Sequence, residues 1–150
     1  MLSFTVRGVP VPQGSMKAFM PKGAKFPVLT SDNPKLKAWR KLVRAQALEA
    51  MGWLPPAGKN VPIRVQAVFF MPRAKTNKAI DAVKKPDIDK LLRSCLDSMT
   101  GVVYTDDSQV VEVHVFKTYG QPRVEIKLEE VGLLAVPRPA AAIIDSDLPF

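Results

Sequence analysis

The sequence predicts an α+β fold: a single domain with a mixed β-sheet, elements in the order β-α-β-α-β-β, and helices packed on one face of the sheet. Four stretches alternate apolar and polar residues, as half-buried strands do, and two others carry apolar residues at the spacing of an amphipathic helix. The length of 150 residues suits one domain that can bury a core.

The first half of the chain predicts a strand, a long loop and a helix. Residues 2–7 alternate, with Leu2, Phe4 and Val6 on the apolar face. Residues 8–30 are rich in Pro, Gly and Lys and show no period, which predicts a loop. Residues 31–34, Ser-Asp-Asn-Pro, are typical of a helix start, and we expect that helix to end at Gly52.

A second strand and a second helix follow. Residues 63–70 alternate, and the basic stretch 72–85 has no period. Residues 87–100 place apolar side chains at i, i+3, i+4, i+7, i+8 and i+11, which predicts an amphipathic helix ended by Gly101.

The last two alternating stretches are residues 109–117 and 123–129. The first should place Val111, Val113 and Val115 on one face. The link 118–122 is short enough for an antiparallel hairpin, which we expect here. Residues 131–150 are rich in Pro and Ala and predict either a flexible tail or an arm that packs on a neighbouring subunit.

The charge of the chain is divided between its two halves. The formal net charge is +8, which favours a polyanionic partner. Residues 1–86 carry 16 Lys and Arg against 3 acidic residues, whereas residues 87–150 carry 6 against 11. A basic half could hold phosphates while an acidic cluster holds a cation beside them. A simple solvated basic face is an equally good interpretation of composition alone.

Composition also excludes several kinds of protein. One cysteine and one histidine, Cys95 and His114, leave no disulfide framework and no Cys/His zinc site within one chain. No stretch approaches the roughly 18 apolar residues of a membrane span, and the first residues lack the pattern of a secretion signal. We therefore expect a cytoplasmic protein with no membrane partner and no small-molecule substrate.

Four carboxylates at the ends of rigid elements are the candidate catalytic residues. Asp87 and Asp89 flank the start of the second helix, and Asp106 and Asp107 precede the strand at 109. Clustered carboxylates repel one another in a way that a bound divalent cation relieves. An oxygen-only set suits Mg²⁺, or Mn²⁺, which can activate water beside a phosphodiester.

Each aspartate pair also has an ordinary structural interpretation. An Asp-x-Asp sequence at a helix start is commonly a cap that matches the helix dipole. An Asp-Asp pair before a strand is commonly part of a turn.

The contiguous segment 85–117, KPDIDKLLRSCLDSMTGVVYTDDSQVVEVHVFK, resembles the RusA-type Holliday junction resolvases. Asp87 and Asp89 match the family's Asp-x-Asp, residues 96–99 its Leu-Asp-Ala-Leu-like helix end, and Asp106 and Asp107 its second pair. The opening segment 8–17, GVPVPQGSMK, is similar to the family's Gly-x-Pro-x-Pro-x-Gly. The resemblance covers roughly residues 1–130.

This resemblance implies a RusA-like nuclease domain over 1–130, followed by the tail 131–150. It implies a homodimer that binds four-way DNA junctions and cuts two strands symmetrically with Mg²⁺. By match, Asp87, Asp89 and Asp107 would be the metal ligands, with Asp106 supporting them. The family usually has lysine at the position of Arg93. We expect Arg93 to stabilise charge in the transition state, against the alternative of a surface arginine paired with Asp89 or Asp97.

Basic residues from the first half are the candidate DNA contacts. They come from the first loop, from one face of the first helix, where they recur at i, i+3, i+4 and i+7, and from the basic stretch before Asp87. They are Lys17, Lys22, Lys25, Lys37, Arg40, Lys41, Arg44, Arg73, Lys75, Lys84 and Lys85.

Several other residues predict packing or surface roles. Cys95 lies on the apolar face of its helix and is interpreted as core. His114 is interpreted as a surface residue, and Trp39 and Trp53 as packing residues. Asp97, four residues after Arg93, is interpreted as a helix-face ion pair.

Three functions remain open from the sequence. The first is a structure-selective phosphodiesterase that resolves Holliday junctions. The second is a non-catalytic branched-DNA-binding module in which Arg93 marks a lost activity. The third is a metal-dependent nuclease that prefers flaps or replication forks. The complete aspartate set favours the first, because a module without catalysis has no need for carboxylates that repel DNA.

Overall fold

The computed structural model describes residues 1–14, 17–30 and 33–132. Its strands and helices are β1 (Leu2–Arg7), β2 (Lys17–Phe19), β3 (Val28–Thr30), α1 (Pro34–Met51), β4 (Ile63–Met71), α2 (Ile88–Met99), β5 (Val110–Tyr119) and β6 (Arg123–Glu130). A short 3₁₀ turn, Asp107–Gln109, precedes β5. The predicted α+β class with a mixed sheet is confirmed. None of the described helices is long and apolar enough to cross a membrane.

The main sheet has four strands in the order β1-β6-β4-β5. β6 pairs antiparallel with both β1 and β4, whereas β5 pairs only with β4 and is parallel to it. The hairpin predicted between the last two strands is therefore wrong, because β4 lies between β5 and β6. The two strands do run in opposite directions, but the link between them crosses the end of β4.

Gly120 makes that crossing possible. Its backbone N–H donates to the carbonyl of Met71 at the end of β4, at 3.1 Å. A Cβ at this position would lie 2.8 Å from a ring carbon of Phe70, closer than side chains pack. The link therefore passes over the end of β4 at a position that has no room for a side chain.

The first helix forms as its end signals predict. Asn33 is the N-cap, and its side chain accepts a hydrogen bond from the backbone N–H of Lys35 at 3.0 Å. Pro34 occupies the first helical position, and Gly52 caps the end at a positive φ of 56°. The proposed start residues Ser31 and Asp32 lie outside the described residues.

Both helices cover the same face of the sheet. Trp39 and Val43 of α1 and Leu91 of α2 belong to one buried cluster with Val65 and Ile126 of the sheet. Alternate residues on the other face, including Gln66 and Glu125, are exposed. The core thus forms a single layer between helices and sheet.

Two details differ from the sequence-based expectation. The long loop 8–30 contains a small antiparallel sheet of β2 and β3. The register between β4 and β5 shifts by one residue, since Ile63 pairs with Val110 but Arg64 pairs with Glu112. Val111 is therefore the extra residue of a bulge, and its side chain is 48% exposed. The regular alternation expected for Val111, Val113 and Val115 is therefore interrupted at Val111.

Candidate functional site

The opening segment of the chain packs on the start of α2. The buried Ser94 hydroxyl donates to the carbonyl of Val11 at 2.9 Å, and the backbone N–H of Gln13 donates to the carbonyl of Lys90 at 3.0 Å. Pro10 is fully buried beneath these contacts. The residues resembling a Gly-x-Pro-x-Pro-x-Gly motif therefore fix the helix that carries the first aspartate pair.

Asp87 is the N-cap residue of α2, but its carboxylate makes no capping hydrogen bond to a described residue. It lies 3.4 Å from the ammonium of Lys90, one turn into the helix. Asp89 is exposed in the first turn. The Asp87 side chain therefore does not cap the helix as expected, and the carboxylates of Asp87 and Asp89 both remain accessible.

Lys117 holds the loop that leads into Asp87. Its ammonium donates to the carbonyls of Lys84 and Pro86, each at 2.8 Å. It lies near the end of β5 on the same side of that strand as Val113 and Val115, which faces the helices. Lys117 was not among the predicted site residues, although its inward position in the alternation of β5 was a signal.

Asp106 has the structural role that its turn sequence predicts. Its carboxylate accepts a hydrogen bond from the backbone N–H of Ser108 at 2.8 Å, and its own N–H donates to the Gln109 side chain at 3.0 Å. This reciprocal capping box fixes the 3₁₀ turn. The bond from Ser108 lowers the pKa of Asp106 below its ordinary value.

Asp107 lies with other carboxylates. Partial burial raises its pKa, and the neighbouring carboxylates of Asp97 and Asp106 raise it further. Tyr104 fixes this arrangement, because its buried hydroxyl donates to the carbonyl of Leu96 at 2.8 Å at the end of α2. Asp97 was interpreted as an ion-pair partner of Arg93, but the structure places it beside Asp107.

The two aspartate pairs lie toward opposite ends of α2. Asp87 and Asp89 are at its start, and Asp107 contacts Asp97 in its last turn. The helical rise puts Asp89 and Asp97 roughly 12 Å apart along the axis. Within the described parts of the chain, no three acidic, His or Cys side chains lie close enough together to hold a metal ion. The predicted ligand set of Asp87, Asp89 and Asp107 is therefore not assembled within one chain and stays a prediction.

A basic groove between the helices, here called the helix groove, opens beside the Asp107 end. It has a volume of about 350 Å³ and is lined by Lys37, Arg40, Lys41 and Arg44 of α1 and by Asp97 and Ser98 of α2. The predicted basic face of α1 therefore borders the acidic residues. Arg44 also donates to the carbonyl of Thr100 at 3.1 Å, which ties α1 to the end of α2.

The remaining predicted DNA contacts lie elsewhere on the surface. Lys22 and Lys25 are exposed between β2 and β3, and Lys75, Lys84 and Lys85 are exposed in the basic stretch before α2. The Arg73 guanidinium lies over the ring of Tyr119, 4.6 Å from its centre. The Lys17 side chain lies outside the described residues.

Arg93 is exposed on α2, one turn beyond Asp89. Its predicted alternative was an ion pair with Asp89 or Asp97. The ion pairs of the described residues include neither contact, and the pair formed at the start of α2 is Lys90–Asp87. The Arg93 guanidinium is therefore free to meet an incoming anion.

Other side chains fall into packing and surface roles. Cys95 is buried, and desolvation raises its pKa to about 12, so its thiol is inert. His114 is a surface residue whose Nε2 lies 2.7 Å from Glu112. Trp39 is buried as predicted, but the packing interpretation of Trp53 is wrong, because its side chain is fully exposed.

The family match and one of two curated relatives name the same family. Residues 8–129 match the family described as "Endodeoxyribonuclease RusA". "Uncharacterized protein YqaN" of Bacillus subtilis (strain 168) is 31% identical over 144 residues, which cover 87% of this chain and 97% of that protein. "Crossover junction endodeoxyribonuclease rusA" of Lactococcus phage r1t is 33% identical over 76 residues, which cover 49% of this chain and 58% of that protein. The family match includes both aspartate pairs and the whole of the opening segment 8–17.

Proposed function

The chain belongs to the RusA endodeoxyribonuclease family, and on that premise we propose that it is a Mg²⁺-dependent homodimeric endonuclease that resolves four-way DNA junctions by paired hydrolysis of phosphodiesters. The observation that carries this proposal is the carboxylate of Asp97, which lines the basic helix groove and neighbours the carboxylate of Asp107. Such a groove suits a phosphate backbone, and the carboxylates suit the cation that would act on it. We propose that it acts in the cytoplasm of a bacterial or phage-infected cell.

The carboxylates fit a hard divalent cation. Asp87 and Asp89 are not consumed by capping bonds from described residues, and Asp107 lies among like charges that a cation would relieve. We assign these three as ligands of Mg²⁺, or of Mn²⁺, with Asp106 supporting Asp107 through the turn that it caps. When bound, the cation would supply Lewis-acid charge and lower the pKa of a water beside the phosphodiester.

We assign the basic residues two roles, phosphate binding and stabilisation of developing charge. Lys37, Arg40 and Lys41 would hold the backbone along the helix groove. Arg93 would contact a phosphate oxygen bidentately and offset the charge that develops during hydrolysis. Because arginine stays protonated at working pH, it would not donate the proton to the leaving oxygen.

The separation of the two aspartate pairs supports a dimeric site. One chain leaves Asp89 and Asp107 toward opposite ends of α2, so we propose that a second copy supplies the missing pair. Mixing chains tests this directly: a heterodimer of Asp89→Asn and Asp107→Asn retains one intact site if sites are shared between chains. If each chain forms its own site, both sites of that heterodimer are inactive and no activity returns on mixing.

A cleavage panel tests the proposed substrate. The purified protein is given a synthetic four-way junction, a duplex of matched sequence, a flap and a fork, each with and without Mg²⁺. We expect Mg²⁺-dependent cutting of the junction well ahead of the duplex. Preference for the flap or fork would replace junction resolution with another nuclease function, and tight junction binding without any cutting would indicate a non-catalytic module.

A further inference from the structure

A second cleft, larger than the helix groove, lies beside Asp87. This loop cleft lies between residues 9–14, the basic stretch 72–86 and the start of α2, and its volume is about 710 Å³. That size is within the range of clefts that hold a small organic ligand. Because Asp87 is part of its wall, anything bound here would lie next to the proposed site of cutting.

The lining of the loop cleft has an apolar interior and a basic edge. Its apolar part includes Val9, Val11, Met71 and Tyr119. Four lysines, Lys35, Lys84, Lys85 and Lys90, also line it, against the single acidic residue Asp87. A planar apolar group attached to a phosphate would match both parts, and a nucleotide of DNA is such a group.

Two polar side chains in the loop cleft are arranged to recognise a specific acceptor. The Asn77 amide nitrogen donates to the Tyr119 hydroxyl oxygen at 2.6 Å, and the Asn77 carbonyl accepts from the backbone N–H of Ala79 at 3.0 Å. The second bond fixes which way the amide faces, so the Tyr119 oxygen must act as an acceptor. Its hydrogen is left for a bound group, since no described residue accepts it.

Two further features lie beside the cleft, in residues that do not line it. The Arg73 guanidinium lies over the ring of Tyr119, so a planar cation packs against a residue that lines the cleft. Gln13, between the cleft residues Pro12 and Gly14, is 8% exposed, and its side-chain oxygen has no hydrogen-bond partner among the described residues. A buried acceptor of this kind ordinarily has a partner.

We propose that the loop cleft binds a nucleobase unstacked from the branch point of the DNA, next to the phosphate that is cut, with the Tyr119 hydroxyl donating to an acceptor on that base. The inference rests on the proposed function. Bases at a branch point have lost part of their normal stacking, so moving one out of the helix costs less there than in a continuous duplex. The cleft would then make cutting depend on base identity, which phosphate contacts cannot do.

The test places the fluorescent base 2-aminopurine at each position around the branch point of a synthetic junction, with protein bound in EDTA. Emission from this base rises when it leaves the stack. We expect a several-fold rise at one position beside the cut site and none a few positions away. The variant Ala74→Trp, at an exposed residue that lines the loop cleft, should abolish the rise. The matched control Ile80→Trp, at an exposed residue of the same stretch outside the cleft, should keep it.

The specificity of the cleft is tested with Tyr119→Phe in Mg²⁺. This variant keeps the aromatic ring and loses the hydroxyl donor. The ratio between the cutting rates measured with different bases at the identified position should therefore shrink by about tenfold, the effect of one hydrogen bond. An unchanged spread of rates, or an emission rise that survives Ala74→Trp, would overturn the proposal.

The two proposals fail in different ways. An emission rise in a protein that cuts no junction contradicts the proposed function and supports base binding in the loop cleft. Junction cutting without a localised rise in emission contradicts base binding in the loop cleft and supports the proposed function. Failure to bind the junction at all contradicts both.

Discussion

The Lys117 ammonium donates a hydrogen bond of 2.8 Å to the carbonyl of Pro86, which immediately precedes Asp87. A second bond of the same length reaches Lys84. A residue of β5 therefore holds the loop that presents the first aspartate pair, 31 positions earlier in the chain. Binding here also satisfies two carbonyls of an irregular segment that has few partners of its own.

Replacing Lys117 by Met should weaken that support while keeping the apolar stem of the side chain. Loss of hydrogen bonds from a charged donor should lower the free energy of unfolding by about 1–3 kcal/mol, as measured by urea denaturation. Junction cleavage should fall more than junction binding, because Asp87 is no longer held in place. The control Lys127→Met removes a lysine from the outer face of the sheet. Equal effects of the two variants on cleavage would exclude a positioning role for Lys117.

Asp107→Asn and Asp106→Asn form a matched pair. Asp107→Asn should abolish cleavage in Mg²⁺ but leave binding in EDTA intact or tighter, because it removes a proposed ligand and also repulsion toward phosphate. Asp106→Asn should retain measurable cleavage, since asparagine also caps a turn. Asp87→Asn and Asp89→Asn should behave like Asp107→Asn. Wild-type cleavage by any of these three would remove that residue from the site.

The same pair predicts opposite effects on stability. The pKa of Asp107 is raised in the folded chain, so its contribution to stability is present at acidic pH and is lost as the pH rises through that pKa. Without metal at neutral pH, Asp107→Asn should therefore have a slightly higher Tm than the wild type, a difference that disappears in acid. Mg²⁺ should raise the Tm of the wild type but not that of Asp107→Asn.

Asp106→Asn is the control for this measurement. Its carboxylate has a lowered pKa, so it stabilises the fold above the ordinary aspartate range and that contribution is lost in acid. The variant should be slightly less stable at neutral pH. A higher Tm for both variants would show that general loss of negative charge, rather than the position of Asp107, sets the effect.

Arg93 differs from the lysine usual at this position, and we expect it to act on the rate. Arg93→Ala should reduce cleavage on the order of 10²-fold, as loss of one transition-state donor does, whereas Arg93→Lys should keep substantial activity. Binding in EDTA should change much less than the rate. Wild-type cleavage by the alanine variant with Mg²⁺ saturating would make Arg93 an ordinary surface residue.

The basic face of α1 should supply salt-dependent affinity. The logarithm of the binding constant should fall with the logarithm of salt concentration, with a slope of about −0.9 for each phosphate neutralised. Replacing Lys37, Arg40 and Lys41 by Gln should flatten that slope. Arg44 is left intact because it also bonds to Thr100. The control is Arg7→Gln, on the outer face of the sheet. An unchanged slope for the α1 variant would show that the basic face of α1 is an ordinary solvated surface.

The sequence predicted the elements better than their arrangement. Helix α1 was predictable at both ends because Asn33, Pro34 and Gly52 act locally. The position of β4 between β5 and β6 was not predictable, because strand pairing depends on contacts between residues far apart in sequence. A short link is compatible both with a hairpin and with a crossing over the end of β4 at Gly120. The bulge at Val111 was missed for the same reason, since alternation alone does not reveal an extra residue.

The site was partly predictable. Each aspartate pair alone is common at a helix start or in a turn, and the four stood out because both pairs fall within one contiguous segment, 85–117, that resembles a family motif. The sequence did not reveal that Asp107 lies beside Asp97, because that contact depends on how Tyr104 anchors the turn to the end of α2. The full exposure of Trp53 was likewise invisible to residue type, since tryptophan is buried more often than not.

The central claim is that a homodimer cuts both strands of a junction with Mg²⁺, and a supercoiled plasmid that extrudes a cruciform tests it most directly. Paired cuts made within one encounter convert that plasmid to linear DNA, whereas separate single cuts release the cruciform and leave nicked circles. We predict linear product from the wild type only when Mg²⁺ is present, and none from Asp107→Asn. Nicked circles alone, or linear product in EDTA, would contradict the account.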